Sequence, residues 1–292
     1  MTRFSYLLPS VCVALLPVLF SSHAMAAEAK TTLNIGLIPS EDAQAMIETS
    51  KQVLDSLRQK TGLTIKPFVA TDYNGVIEAL RSGKLDVAYL GPFSYVLANS
   101  VANTEAFAVA VTKKNKSSSY KSIIIARKDA GIDTVTQLKG RTFAFVDPSS
   151  TSGHLFPKAG LQQAGYDTDK LFSRVIFSGS HDASILAVAN NKVDAAAVAD
   201  RIFASAISKG LIKQDDFKVV WSSRAIPESP MVWRKDLDSA LKAKLSKAFA
   251  EIKDLPWGDQ GMLDGFQPTT DAAYDPVRDA AKVLDLDLRK MK

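Results

Sequence analysis

A run of small hydroxyl residues follows a short apolar stretch and precedes an amphipathic one. The run is Asp147-Pro148-Ser149-Ser150-Thr151-Ser152-Gly153, and the helix predicted after it extends from Leu155 to Gln163. Backbone N–H groups at a helix start have no partner within the helix, and the positive end of the helix dipole points the same way. Ser150, Thr151 and Ser152 add hydroxyl donors. The pattern indicates an oxyanion site, although an ordinary helix N-cap requires the same residue types, and both interpretations stay open.

The same residue types also allow a second chemistry, that of a serine hydrolase. Ser152, His181 and Asp200 are the three types of a nucleophile, base and acid triad. Their chain order and the lack of a Gly-x-Ser-x-Gly segment argue against this alternative. Histidines and aspartates at metal-ligand spacing are also lacking in the sequence, so we predict neither a metal nor a cofactor.

The N-terminal 26 residues have the pattern of a secretory signal peptide. Arg3 gives a positive start, an apolar segment runs from Tyr6 to Phe20, and Ala24-Met25-Ala26 resembles a cleavage site. The sole cysteine, Cys12, lies within this segment. We therefore expect an exported protein without disulfides, released from the membrane after cleavage.

The charge distribution bears on the class of partner that the protein binds. The chain has 36 Lys and Arg against 31 Asp and Glu, and its basic residues are scattered apart from 113–116. This distribution argues against nucleic-acid binding. A mildly positive field instead favours the approach of a small anion.

Predicted strands and helices alternate in the first third of the chain. Such an order predicts a parallel sheet with helices on both faces and a ligand at the carboxyl ends of its strands, in the loops at Ser40, Asp72-Tyr73 and Gly91-Pro92. The predicted strands are 33–38, 63–69, 87–90 and 107–112, and the predicted helices are 42–60, 75–81 and 93–99.

A second α/β unit follows the polar segment 113–119. Its predicted strands are 120–127, 142–146, 174–177 and 193–198, and its predicted helices are 136–139, 155–163 and 182–190. Segments 218–221 and 226–233 then look like the return to the first lobe, with helices 238–253 and 275–284 packing on it. We predict an α/β protein with two lobes and a cleft between them, with lobe 1 formed by 27–112 and 222–292 and lobe 2 by 113–221.

Several segments, taken in order, resemble the periplasmic phosphonate- and phosphite-binding proteins of ABC importers. They span nearly the whole chain after the signal peptide: Asp72-Tyr73, Leu90-Gly91-Pro92, 147–153, Gly179-Ser180-His181, 187–194 and 226–235. The resemblance implies a type II periplasmic binding fold that closes on its ligand without changing it chemically. It further implies an inner-membrane ABC permease as partner and a monomeric protein.

The resemblance also implies a set of ligand-binding residues. The family's oxyanion site maps onto Tyr73, Tyr120, Ser150-Thr151-Ser152 and His181. Hydroxyl and imidazole N–H groups are donors, which is what a desolvated phosphorus oxyanion requires. We interpret His154, in contrast, as structural.

Two departures from the family pattern bear on the ligand. The acidic residue that suits an amine in aminophosphonate-binding members is replaced by Ser229, with Glu228 one place earlier, and Asp200-Arg201 stands near the position of an amine-contacting glutamate. Asp200 can accept a proton from a ligand that carries an OH, although it can equally cap the helix that follows. We therefore expect phosphite, followed by methylphosphonate or phosphate. A larger phosphonate, or a role as ligand sensor, stays an alternative.

Overall fold

A computed structural model describes residues 1–2, 30–114 and 116–291, and the side chain of residue 259 lies outside the description. The predicted signal peptide falls almost wholly on residues 3–29, outside the described part. The compact unit Thr31–Lys292 contains all the strands and helices described below.

The strands of this unit form two larger sheets and one short ribbon. The sheet orders are β13-β14-β4-β12-β3-β1-β2, β10-β6-β9-β7-β8 and β11-β5. The strands are β1 Thr32–Leu37, β2 Thr64–Val69, β3 Val87–Tyr89, β4 Thr104–Thr112, β5 Ser119–Tyr120, β6 Ser122–Arg127, β7 Thr142–Phe145, β8 Arg174–Phe177, β9 Ala195–Ala199, β10 Phe217–Ser222, β11 Ile226–Pro227, β12 Pro230–Arg234, β13 Pro256–Trp257 and β14 Gly261–Pro268.

Helices connect the strands within both sheets. A π-helical turn, Thr151–Leu155, leads directly into α4, and the segment predicted as a helix at 136–139 is a 3₁₀ turn, Val135–Leu138. The helices are α1 Ala43–Thr61, α2 Tyr73–Arg81, α3 Pro92–Val101, α4 Phe156–Gln163, α5 Thr168–Leu171, α6 His181–Ala189, α7 Asp200–Ser208, α8 Ser239–Ala250 and α9 Asp275–Val283.

The parallel sheet predicted for the βαβαβ unit is confirmed, but the first sheet also contains antiparallel pairs. Strands β1, β2 and β3 are parallel, whereas β12 runs antiparallel to both β3 and β4, and β14 runs antiparallel to β4. The chain leaves this sheet along β4 and returns along β12, so the returning strand has to run in the opposite direction.

The chain crosses twice between the two sheets, and the crossing segments pair with each other. Tyr120 of β5 lies opposite Ile226 of β11 in an antiparallel register. The N–H of Glu228 adds a bond of 2.8 Å to the carbonyl of Ser118. The strand at 218–221, interpreted as part of the return, instead pairs with β6 in the second sheet, so the return begins after Ser222.

Local sequence signals account for the ends of α1, which covers one face of the first sheet. The carboxylate of Asp42 accepts from the N–H of Ala45 as an N-cap, and Gly62 ends the helix in the left-handed conformation at φ 68°. The helix buries one apolar face against the sheet. That face comprises Met46, Val53, Leu54 and Leu57.

Helix α9, which was expected to pack on the first lobe, packs on α3 and also on α4. Buried apolar residues of α2, α3 and α9 belong to one cluster with residues of β9, α4 and α7. The two sheets therefore share a continuous apolar core. In the described part of the chain, no helix is both long and apolar enough to span a bilayer.

Candidate functional site

Residues 149–153, here called the hydroxyl loop, precede α4, form an N-cap and are buried. The Ser150 hydroxyl oxygen accepts from the N–H of Gly153 at 3.1 Å, so the capping interpretation is correct as far as it goes. A Cβ at Gly153 would lie 2.3 Å from Cγ2 of Val146, and therefore only glycine fits there. The loop is held on the sheet through its backbone, since the Ser122 hydroxyl donates to the carbonyl of Ser152 at 2.6 Å.

The hydroxyl loop also contacts the start of α3, which follows the first sheet. The Thr151 hydroxyl oxygen accepts from the N–H of Phe93 at 2.8 Å, and the Ser94 hydroxyl donates to the carbonyl of Ser149 at 2.9 Å. The loop after β3, predicted to hold ligand at Gly91-Pro92, therefore meets the hydroxyl loop directly.

Tyr73 reaches the same region from the first turn of α2. It is 1% exposed, and its N–H donates to Oδ2 of Asp147 at 3.4 Å. Burial raises the pKa of Asp147 above its usual range, while the N–H groups of Ser149 and Tyr73 act in the opposite direction. The loop after β2 is thereby joined to the loop after β7.

Tyr120 lies on the ribbon between the sheets, with its hydroxyl beside the hydroxyl loop. Ser152 and Thr151 lie near this hydroxyl and lower the pKa of Tyr120, but less than burial raises it. Burial raises the pKa of Tyr120 well above its ordinary value. The phenol therefore keeps its proton and is available as a donor.

His181 joins the site from the first turn of α6. Its backbone N–H donates to the carbonyl of Ser40 at 2.9 Å, which connects the loop after β1 to the second sheet. Its ring Nδ1 lies 3.1 Å from the N–H of Ala199, so Nδ1 is the acceptor and the neutral ring carries its proton on Nε2. This tautomer makes Nε2–H a donor.

Asp200 occupies a different environment from the other predicted site residues. Its Oδ1 accepts from the N–H of Lys121 at 3.0 Å and from the N–H of Arg201 at 2.8 Å. These bonds place the carboxylate in the first turn of α7, but the alternative interpretation of Asp200 as a helix cap was wrong, because the N-cap is Ala199 and no side chain caps the helix. Asp200 also lines an open groove of about 630 Å³ together with Tyr120, and its role toward a ligand stays a prediction.

The serine hydrolase alternative finds no support in these contacts. A triad requires the histidine Nδ1–H to donate to the acid. Here Nδ1 of His181 is an acceptor for Ala199, and Oδ1 of Asp200 binds backbone N–H groups. The three residues are not connected as a nucleophile, base and acid.

His154 contributes to packing beside the site. Its Nδ1 lies 2.8 Å from the carbonyl of Pro148, and its ring contacts Phe145 and Phe177 edge to face. Burial lowers the pKa of His154 to about 4. These contacts support the structural role indicated by the sequence.

Arg201 and Glu228 form a buried ion pair beside Tyr120. Both residues were noted in the sequence, but their pairing was not predicted. Nε of Arg201 lies 3.3 Å from Oε1 of Glu228, and the guanidinium carbon lies 4.6 Å from the ring centroid of Tyr120. The two partners come from α7 and from the segment between β11 and β12. The one sequence signal was the position of Glu228 between Pro227 and Pro230 in a mostly apolar segment, which indicates that this acid needs a buried partner.

Comparisons with known proteins show the family to which this chain belongs. A family model described as the periplasmic substrate-binding protein of a phosphonate ABC transporter matches residues 35–274. The phosphate-import protein PhnD of Mycolicibacterium smegmatis is 32% identical, over 86% of this chain and 85% of its own. The phosphonates-binding periplasmic protein of Escherichia coli is also 32% identical, over 89% of this chain and 79% of its own.

Solved structures show the same two-lobed fold. A binding protein of a phosphonate ABC transporter from Pseudomonas aeruginosa superposes with a TM-score of 0.78 at 31% identity, covering 86% of this chain and 85% of that one. PhnD1 of Prochlorococcus marinus, solved with methylphosphonate, gives 0.75 at 20% identity, covering 87% of this chain and 98% of that one. This chain belongs to the family of periplasmic substrate-binding proteins of phosphonate ABC transporters, and it is a binding protein rather than an enzyme.

Proposed function

We propose that this protein captures phosphite, or a closely related phosphorus oxyanion such as methylphosphonate or phosphate, between its two lobes. The cleaved signal peptide at 1–26 delivers it to the periplasm, where it acts as a monomer and passes its ligand to an ABC permease in the inner membrane. It binds no nucleic acid in this role.

The observation that supports the proposal is that buried neutral donors lie on neighbouring loops that follow strands of both sheets. Tyr120 lies near Thr151 and Ser152, and the Thr151 hydroxyl oxygen accepts from the N–H of Phe93 in the loop after β3. Tyr73 and His181 enter from the first turns of α2 and α6. An oxyanion held by such donors gains roughly 0.5 to 3 kcal/mol from each hydrogen bond.

The existing contacts of the hydroxyl loop favour donation toward a ligand. The oxygens of Ser150 and Thr151 already accept backbone N–H groups, so the proton of each hydroxyl is left to donate. A small tetrahedral anion suits a site lined by such short side chains. Asp200 stays the proposed acceptor for a ligand OH. It lines the same groove as Tyr120, and this groove would connect its carboxylate to the ligand.

Calorimetry on the purified protein tests the proposal. The ligands titrated in turn are phosphite, methylphosphonate, phosphate and 2-aminoethylphosphonate. We expect phosphite to bind with the lowest Kd. Ser152→Ala should weaken binding by about 10- to 100-fold, or roughly 1.4 to 2.7 kcal/mol. Ser239→Ala, at an exposed position of α8, is the matched control and should leave the Kd unchanged. A Kd above millimolar for all four ligands would refute the proposal.

A further inference from the structure

The ion pair between Arg201 and Glu228 is buried next to the proposed site. The Glu228 side chain is 1% exposed and that of Arg201 16%. Oε1 of Glu228 also accepts from the N–H of Ser229 and from Nε2 of Gln260, both at 2.9 Å. A buried carboxylate is stable only when its charge is compensated in this way.

Tyr120 connects this pair to the hydroxyl loop. The guanidinium of Arg201 lies over one face of the Tyr120 ring, and the hydroxyl of the same ring lies near Thr151 and Ser152. Besides burial, which is the largest effect on the pKa of Tyr120, Arg201 lowers that pKa and Glu228 raises it. Both charges therefore act electrostatically on the Tyr120 hydroxyl, which is one of the proposed ligand donors.

The net charge next to Tyr120 depends on whether Arg201 and Glu228 are both present. If Glu228 lacked Arg201, its carboxylate would repel an anion and attract a cationic group on a ligand. Arg201 also reaches the Ser229 hydroxyl, with Nη2 3.3 Å from Oγ, so its orientation is fixed on both sides. Arg201 thus occupies the place beside Glu228 that a ligand cation would otherwise take.

We propose that Arg201 is a specificity-determining residue, which by pairing with Glu228 admits phosphorus oxyanions without a cationic group and rejects aminoalkylphosphonates. The proposal rests on the function proposed above, because it assumes an oxyanion beside Tyr120. It adds the residue that determines whether the ligand may carry a cationic group besides its oxyanion.

The test compares two ligands, methylphosphonate and 2-aminoethylphosphonate, across four variants by calorimetry. Arg201→Met removes the charge and keeps the bulk, Arg201→Lys keeps the charge, Glu228→Gln removes the acid, and Arg201→Met with Glu228→Gln removes both. Wild type should prefer methylphosphonate at least about tenfold, and Arg201→Met should shift this ratio at least about tenfold toward 2-aminoethylphosphonate. In the double variant and in Arg201→Lys the ratio should return to within about threefold of wild type. Thermal unfolding of each variant confirms that it is folded.

The outcomes separate this inference from the proposed function. If wild type binds neither ligand, nor phosphite or phosphate, both proposals fall. If wild type binds methylphosphonate but the ratio is the same in Arg201→Met, or wild type prefers 2-aminoethylphosphonate, the function stands and the role of Arg201 is refuted. Should Arg201→Met fail to fold, the other two Arg201 variants decide: a shift of at least about tenfold toward 2-aminoethylphosphonate in Arg201→Lys or in the double variant would refute it equally.

Discussion

Ser150 and Thr151 each serve the fold and the proposed ligand with different parts of one hydroxyl. Their oxygens accept backbone N–H groups of Gly153 and Phe93, while their protons are left to donate. The capping and anion-site interpretations of the sequence are thus compatible. Residue types alone indicated both, but the acceptance from Phe93, 58 residues away, depends on tertiary contacts that no local pattern contains.

Gly153 is the residue on which the shape of this loop most depends. In Gly153→Ala, the new Cβ would lie 2.3 Å from Val146, so the loop must move away from the sheet. We expect a loss of about 2 to 4 kcal/mol in the free energy of unfolding, measured by urea denaturation, together with weaker binding of phosphite. Gly91→Ala is the control, because its Cβ would meet Thr151 at an ordinary 3.4 Å, and a change below about 1 kcal/mol is expected. Equal losses in both variants would contradict this explanation.

His154 should make the stability of the protein depend on pH. Its folded pKa of about 4 lies below the unfolded value of about 6.5, because burial disfavours the charged ring. As the pH falls from about 6.5 to about 4, the unfolded chain takes up the proton first and stability is lost. Between pH 7 and pH 5 the free energy of unfolding of wild type should therefore fall. In His154→Gln we expect this fall to be smaller by about 1 to 2 kcal/mol. Parallel pH profiles for the two proteins would disprove the role of His154.

At the scale of elements, the alternation of strands and helices could be predicted because apolar periodicity is local. Strand β8 was predicted with its exact bounds, whereas β14 was missed. Gly265 and Pro268 interrupt the pattern of β14, and a register shift lies between Leu263 and Gly265. The direction of β12 also escaped prediction, because it depends on where the chain returns from the second sheet.

The packing of α4 on β10 gives a prediction at this scale. Gly160 lies in α4, and a Cβ there would come 2.3 Å from the ring of Trp221. Replacing a helical glycine by alanine normally gains about 1 kcal/mol, but overpacking costs about 1 to 3 kcal/mol or more. We therefore expect Gly160→Ala to lower the melting temperature. In a Trp221→Leu background the same change should be neutral or stabilising, and a loss as large as in wild type would show that the ring is not the cause.

At the scale of the whole molecule, the carboxyl-end loops of the two sheets meet in pairs. The contacts join Ser40 to His181, Tyr73 to Asp147 and Phe93 to Thr151, and the N–H of Asp42 donates to Asp182. The sequence predicted the two lobes and placed ligand loops at Ser40, Asp72-Tyr73 and Gly91-Pro92. It did not predict which loops touch, because those contacts depend on how the lobes close. The proposed boundaries of the lobes stay a prediction.

A crystal structure of this protein with methylphosphonate tests the central claim most directly. The account predicts phosphonate oxygens within about 3 Å of the hydroxyls of Thr151, Ser152 and Tyr120, with Tyr73 and His181 contributing from the other loops. The methyl group should lie on the side of Arg201, with the ion pair to Glu228 intact. Methylphosphonate bound elsewhere, for example in the groove beside Lys114 and Lys209, with the hydroxyl loop unoccupied, would contradict the account.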